Sequence, residues 1–451
     1  MSRWQESFPW TAAFVRFLFP EGPARRKRWI RFAAAVVAVL AVHAALTLVM
    51  TARTQPVFDD FVARFGPMSA SAHRPAVVDD ASNKARAVRA AAEVMVVPPV
   101  KDGGAKPYES FGSWSNEALT AADRDLVRKV VDDNAVALRL LDLAAARPGS
   151  NWDLHYERGL EMDIPPLLRI MQLAKMNAAA GRLALEEGGV DDALTAVRRG
   201  TAIEASLGGE PVLIVQMIRL AVSRIHLRLV EKIIATATLA PAQLAALRSS
   251  IPGIDPRDSI RQASIVETKA LDEVLRGATV GSIARLRGEG TDGFLGVGVV
   301  RAIARPYLLS EEKLWLELMT RRIDALASPL YARRDGGSAP KLRPWNVLVR
   351  LLNPEDKGLE ERADLAESRE RLAGVAIAVE RRRLETGTTP RTLADLVPAY
   401  LPALPVDPLT GSAFGYETDG TAWRVHSAFD WRSKEYARLH DPVLDWSRGM
   451  R

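Results

Sequence analysis

The stretch Phe32–Ala52, FAAAVVAVLAVHAALTLVMTA, decides how the rest of the chain is read. Coiled as a helix it is about 30 Å long, the thickness of a hydrocarbon layer. No water is available inside that layer, so a spanning segment must satisfy its own backbone polar groups, and a helix does so. Arg25, Arg26, Lys27, Arg28 and Arg31 precede the run, and only Arg53 follows it closely. That asymmetry predicts a cytoplasmic N-terminus, with the remaining residues on the far side of a bacterial inner membrane, in the periplasm. A cleaved signal sequence is the competing reading. Its apolar core would run only about 7 to 15 residues and end at a small-x-small site, so an uncleaved signal-anchor is expected.

His43 is the one ionisable group in the run. It is expected to bond a neighbouring helix or a backbone carbonyl rather than serve a proton relay. The pairs Ala34/Ala38 and Ala41/Ala45 would permit close approach of a second helix.

Charge points the same way as the anchor. The formal net charge of +6 and pI near 9.5 suggest an anionic partner until position is considered. Residues 1–53 hold eight Lys/Arg and two Glu, which leaves 53 basic and 53 acidic residues in the remainder. The basic surplus belongs to the flank of the apolar run, and no nucleic-acid partner is expected. The absence of cysteine excludes disulfides, thiolate nucleophiles and Cys-based zinc sites.

Around the anchor, Trp10, Ala13, Phe14, Phe17 and Leu18 read as a short amphipathic helix at the cytoplasmic interface. Residues 1–31 are thus a basic, amphipathic flank and 32–52 the span. Pro56, Gly66, Pro67, Pro75, Pro98 and Pro99 mark 53–118 as a stalk with one helix near Ala81–Val97. From Thr120, whose spacing to Asp123 suits a capping box, apolar residues recur at three- and four-residue intervals to about Arg147. Further helices are expected at Leu167–Glu187, Val190–Leu207, Pro211–Thr238, Pro241–Ile251, Asp255–Ala278, Ser310–Ala327 and Leu359–Glu385. Glycine pairs and N-terminal prolines punctuate them. Residues 119–386 therefore form an α-helical domain of hairpins. The pair Ala178–Gly208 resembles one tetratricopeptide-type unit, so the domain is repeat-like. Pro211–Thr238 is apolar around most of its circumference. Arg219, Arg224, Arg228 and Lys232 make it a central core helix rather than a second span, with His226 a core histidine.

No motif for catalysis or a cofactor stands. Ser310-x-x-Lys313 lacks companion elements, and Ser310 is expected to cap its helix. Gly296–Arg301, GVGVVR, lacks the third glycine and the preceding strand of a dinucleotide fingerprint and reads as a hinge. No two of the six histidines have metal-ligand spacing. His440, Asp441 and Asp445 read as part of a charged tail, 428–451. No cofactor or metal is expected. Carboxylates converging in a concave pocket would mark a hydrolase, whereas an apolar groove would mark a binding surface.

The segment 387–427 is the most distinctive. Thr389 and Pro390 are expected to open a helix carrying Leu393, Leu396 and Leu401. Pro405, Asp407, Pro408 and Gly411 form a tight turn, and strands near Ala413–Glu417 and Trp423–Ser427 flank Asp419-Gly420. With the preceding long helix, Leu396–Pro408 and the Phe414-x-Tyr416 strand, this tail resembles the core of the major pseudopilin of type II secretion systems. The resemblance implies an α/β tail with a β-hairpin. AFDWRSKEY (Ala428–Tyr436) replaces that family's calcium loop, and no prepilin-peptidase site precedes the span, so neither calcium nor filament entry is implied. Trp152–Gly159 and the Arg305-Pro306-Tyr307-Leu308 segment also make the chain similar to a group of bacterial single-span membrane proteins with a helical ectodomain. That likeness implies architecture and no activity.

The expectation is a mostly α protein of one transmembrane helix, an extracytoplasmic helical-hairpin domain and a small α/β tail. Its structural motif residues are Trp152, Pro306, Tyr307, Asp407, Pro408 and Gly411. Its partners are the lipid bilayer and an envelope protein, and its expected role is that of a scaffold without catalysis.

Overall fold

The computed structural model describes residues 24–97, 119–251, 253, 255–277, 297–333, 342–352, 358–430 and 444–450. The protein is mostly helical, 69% helix in twelve helices among the described residues, with a small three-stranded antiparallel sheet near the C-terminal end. The amphipathic segment read in 1–23, Gly296 of the expected hinge and the His440–Asp441 pair lie outside the described residues.

Helix α1 runs Ala24–Phe65. It is long and apolar enough to cross a membrane, with a mean hydropathy of 2.4 over its best window and none of that window buried. Among the described residues no other helix has this character. The expected stalk does not begin at Arg53, because the helix continues through Pro56 for more than two further turns. Proline removes one backbone bond there. Side-chain pairs one turn apart, Gln55 Nε2 to Asp59 Oδ1 (2.7 Å) across Pro56 and Arg64 to Asp60 (3.7 Å) beyond it, favour the helix past that gap. Gly66, at φ +79°, follows its end.

The chain divides into two compact units, Met1–Gly66 with Asp272–Glu317, and Pro67–Leu271 with Leu318–Arg451. In the first, α1 lies beside residues of α10 (Val297–Ala325): Thr54 Oγ1 donates to the Leu309 carbonyl at 3.0 Å. Two expectations fail on α10: Ser310, expected as a cap, is interior to one continuous helix, and Val297–Arg301 of the expected Gly296–Arg301 hinge forms the first turn of that helix. Ser310 Oγ donates to the Tyr307 carbonyl (2.7 Å), and Lys313 pairs with Glu317. Pro306, one of the motif residues, sits inside the helix while contacts to α1 on either side of it hold the two halves in place.

In the second unit, α2 (Lys84–Val94), α3 (Ala121–Asp133), α4 (Ala135–Ala146), α5 (Leu167–Glu186), α6 (Val190–Gly208) and α7 (Leu213–Thr236) pack together. Thr120 and Asp123 form the capping box, but the helix from Thr120 is interrupted at Asn134. That side chain takes the Val130 and Val96 carbonyls and accepts the Val96 N–H, drawing the backbone out of register. Small residues let α5, α6 and α7 approach. A Cβ on Gly181 would lie 2.6 Å from Ala196 Cβ and from Leu229, and one on Gly200 would lie 2.8 Å from His226 Cβ.

Helices α8 (Pro241–Ser249), α9 (Pro256–Gly277), α11 (Val347–Leu352) and α12 (Leu359–Thr386) complete the set. The inner face of α12, Leu372, Val375, Ala376 and Val379, is fully buried against α7, α8 and the tail. In the tail, Thr389 does not cap a helix: its hydroxyl bonds Thr418, and Thr392 with Asp395 caps a single 3-10 turn, Leu393–Leu396. Strands β1 (Gly415–Thr418) and β2 (Trp423–His426) pair antiparallel, Gly415 opposite His426. A third strand, β3 (Asp445–Arg448), pairs with β2 where a solvated charged tail was expected. Asp445 is held by Arg424 rather than in a cation site, Trp446 is buried, and Arg448 donates to the Ile234 and Ala237 carbonyls at the end of α7.

Candidate functional site

The second unit contains an open cavity of about 540 Å³ bounded by Ala70, the turn Tyr156–Ile164, the start of α7 and one face of α9. Its wall is built from Met162, Ile164, Leu213, Ile214, Met217 and Val266, with Glu267 and Tyr156 the polar members. The sequence makes it so locally. Pro211 and Val212 bring the chain from α6 into α7, whose first turn points Leu213 inward and leaves Ile214 half open. On α9, Ala263, Val266, Glu267 and Ala270 fall at three- and four-residue spacing, so Glu267 shares the helix's apolar stripe.

Behind the cavity the Trp152–Gly159 segment is pinned to α6. Glu210 accepts the Trp152 backbone N–H through Oε1 and the Tyr156 hydroxyl through Oε2, both at 2.7 Å, and Trp152 Nε1 donates to the Ser206 carbonyl. Burial raises the pKa of Glu210, and burial with the neighbouring Glu210 charge raises that of Tyr156, so the phenol stays protonated and oriented. Glu267 has no hydrogen-bond partner among the described residues. Burial pushes its pKa up to about 7 against the opposing pull of Arg322. A carboxyl so placed holds a proton or accepts a cation with little free-energy difference near neutrality.

Two residues along α9 from Glu267, Lys269 Nζ lies 2.7 Å from His73 Nε2. Burial lowers Lys269 to about 8, and burial plus the ammonium lowers His73, so the imidazole is the acceptor. Deeper in the unit, Arg219, wholly buried on α7, reaches Gln216 Oε1 (2.7 Å) and Glu204 Oε1 (3.4 Å). His226 Nδ1 is 3.2 Å from Glu204 Oε2. Burial pushes Glu204 up to about 7, and burial with the Glu204 charge pushes Glu370 up to about 9, while burial lowers His226 to about 4. His226 is thus a neutral core residue within a closed polar cluster. Among the described residues no three His, Asp or Glu side chains gather as a metal site.

The motif residues serve different places. Trp152 backs the cavity. Asp407, fully buried, accepts from Ser368 Oγ (2.9 Å), Ser427 Oγ (2.5 Å) and Leu409 N (3.0 Å), tying α12, the turn and the end of β2 together. Pro408 lies in that turn, and Gly411 adopts φ +76° with Tyr331 against it. Pro306 and Tyr307 belong to the other unit, inside α10. Sequence reading missed Glu267 and Glu210. The available signal was an acid in the apolar stripe of α9.

Compared with known proteins, the chain matches no family model, no curated protein and no solved structure.

Proposed function

We propose that this is a membrane-anchored protein that works by binding, a scaffold or adaptor whose second unit receives an apolar or amphiphilic guest outside the cytoplasm. The carrying observation is the cavity of about 540 Å³, apolar in lining and with one carboxyl, Glu267, that has no hydrogen-bond partner among the described residues, a combination suited to ligand capture. The basic flank Arg25–Arg31 supports the orientation, and a C-terminal reporter fusion active only outside the cytoplasm tests it. For the binding role, a photoreactive residue at Ile214 in intact cells should capture a discrete adduct that Ala270→Trp, which fills the cavity, abolishes. An adduct unchanged by that substitution removes the reading.

A second reading, a hydrolase using Glu267 as general acid or base, is favoured by its titration near neutrality. Glu267→Gln would then stop turnover while leaving adduct formation intact. The order of long helix, Asp407 turn and antiparallel sheet supports the pseudopilin likeness of the tail, and with it a place beside a secretion assembly. Secretion unchanged on deletion of the chain counts against that place.

A further inference from the structure

We infer that the N-terminal turns of α10 are themselves embedded in the membrane, with Ile303 facing lipid acyl chains beside α1. The inference rests on α1 crossing the bilayer and is independent of which way it crosses. His43 lies at the middle of the apolar run, nine residues before Ala52 and so about 13 Å from that edge. Its Nε2 is 3.1 Å from the carbonyl oxygen of Ile303. An imidazole reaches only roughly 6 Å from its own backbone. If His43 is at mid-span, the backbone of Ile303 therefore lies well below the bilayer surface.

Two further observations fit that depth. The Thr54 contact to Leu309 and the His43 contact to Ile303 occur in the same order along both helices. The start of α10 therefore continues into the span from Ile303, while Leu309 lies near the edge at Arg53. Ile303 is 67% exposed, close to the anchor's own Leu40 (61%) and Val42 (60%), so its side chain is open to the same acyl chains. Arg305, two residues on, is about 200° round the helix from Ile303, so its long stem can run toward the headgroups without crossing the lipid-facing side. The contact also supplies the polar partner that a lone mid-span imidazole requires.

The chain has no cysteine, so one introduced thiol is a unique label. Full-length Ile303→Cys, Leu40→Cys and Val77→Cys, each nitroxide-labelled and reconstituted in phosphatidylcholine–phosphatidylglycerol vesicles, would be compared by collision with oxygen and with a water-soluble nickel chelate. Ile303→Cys should follow Leu40→Cys, favouring oxygen several-fold, while Val77→Cys favours the chelate. Ile303→Cys behaving like Val77→Cys while Leu40→Cys stays lipidic overturns the inference and leaves the span intact. An aqueous Leu40→Cys overturns both together. If the Ile303 variant does not fold, Ala302→Cys, also exposed, gives the same readout.

Discussion

Helices α1 and α7 are both long, both apolar over most of their surface, and each carries one histidine, yet one is bare and the other is the centre of a core. The difference lies in what accompanies the apolar residues. The run in α1 holds no charge, and its histidine finds a backbone carbonyl. Helix α7 holds Gln216, Arg219, Ser223 and His226 on buried positions, where partners on α6 are in place. A buried cation without those partners would cost several kcal/mol, so the arginine is informative about its surroundings as well as about the helix.

The largest effect is expected at that arginine. Arg219→Met should destabilise the second unit by about 3 to 5 kcal/mol in denaturant titration, because Glu204 and Glu370 lose their shared cation. A loss under 1 kcal/mol would mean that the cluster is neutral as it stands. Close packing comes next. Gly181→Val should cost about 3 kcal/mol, whereas Ala38→Val, on the exposed face of α1, should cost nothing measurable.

Acid and base limbs sharpen the picture. His226 is held neutral, so the unfolded chain takes up a proton at higher pH than the folded one. Its contribution is complete above pH 6.5 and lost as pH falls toward 4. His226→Gln should flatten that acid limb by about 3 kcal/mol. Glu267 has the opposite sign: its raised pKa favours the folded state below about pH 4.5 and penalises it as pH rises through about 7. Glu267→Gln should therefore stabilise the protein at pH 8 by ~2 kcal/mol and be neutral at pH 4. The smallest effect is expected in α1, where His43→Leu should change stability in bilayers by less than about 1 kcal/mol, the scale of one hydrogen bond between membrane helices.

Much of this fold was legible because helix punctuation is local. Gly188, Gly387 and the Thr120–Asp123 box end or start helices by their own backbone chemistry, within a residue or two of where spacing puts them. What escaped reading depends on partners distant in sequence. Ser310 and Gly298 look like a cap and a hinge until Thr54 and His43 are known to lie alongside. Strand β3 is four residues, Asp-Trp-Ser-Arg, with one apolar side chain, and exists because Trp446 and Arg448 find the sheet and the end of α7. The cavity was half legible. Trp152 was singled out, but Glu210 and Glu267 are ordinary acids until burial removes their water.

Because α1 does not break where its apolar run ends, the thirteen residues that follow the run, Arg53–Phe65, are a stiff lever about 20 Å long. If that run spans a bilayer, a change of 20° in its inclination, well within what thickness mismatch produces, would sweep Phe65 sideways by about 7 Å. With the apolar run in a bilayer, the thickness of the lipid would thereby become displacement at the far end of a rod.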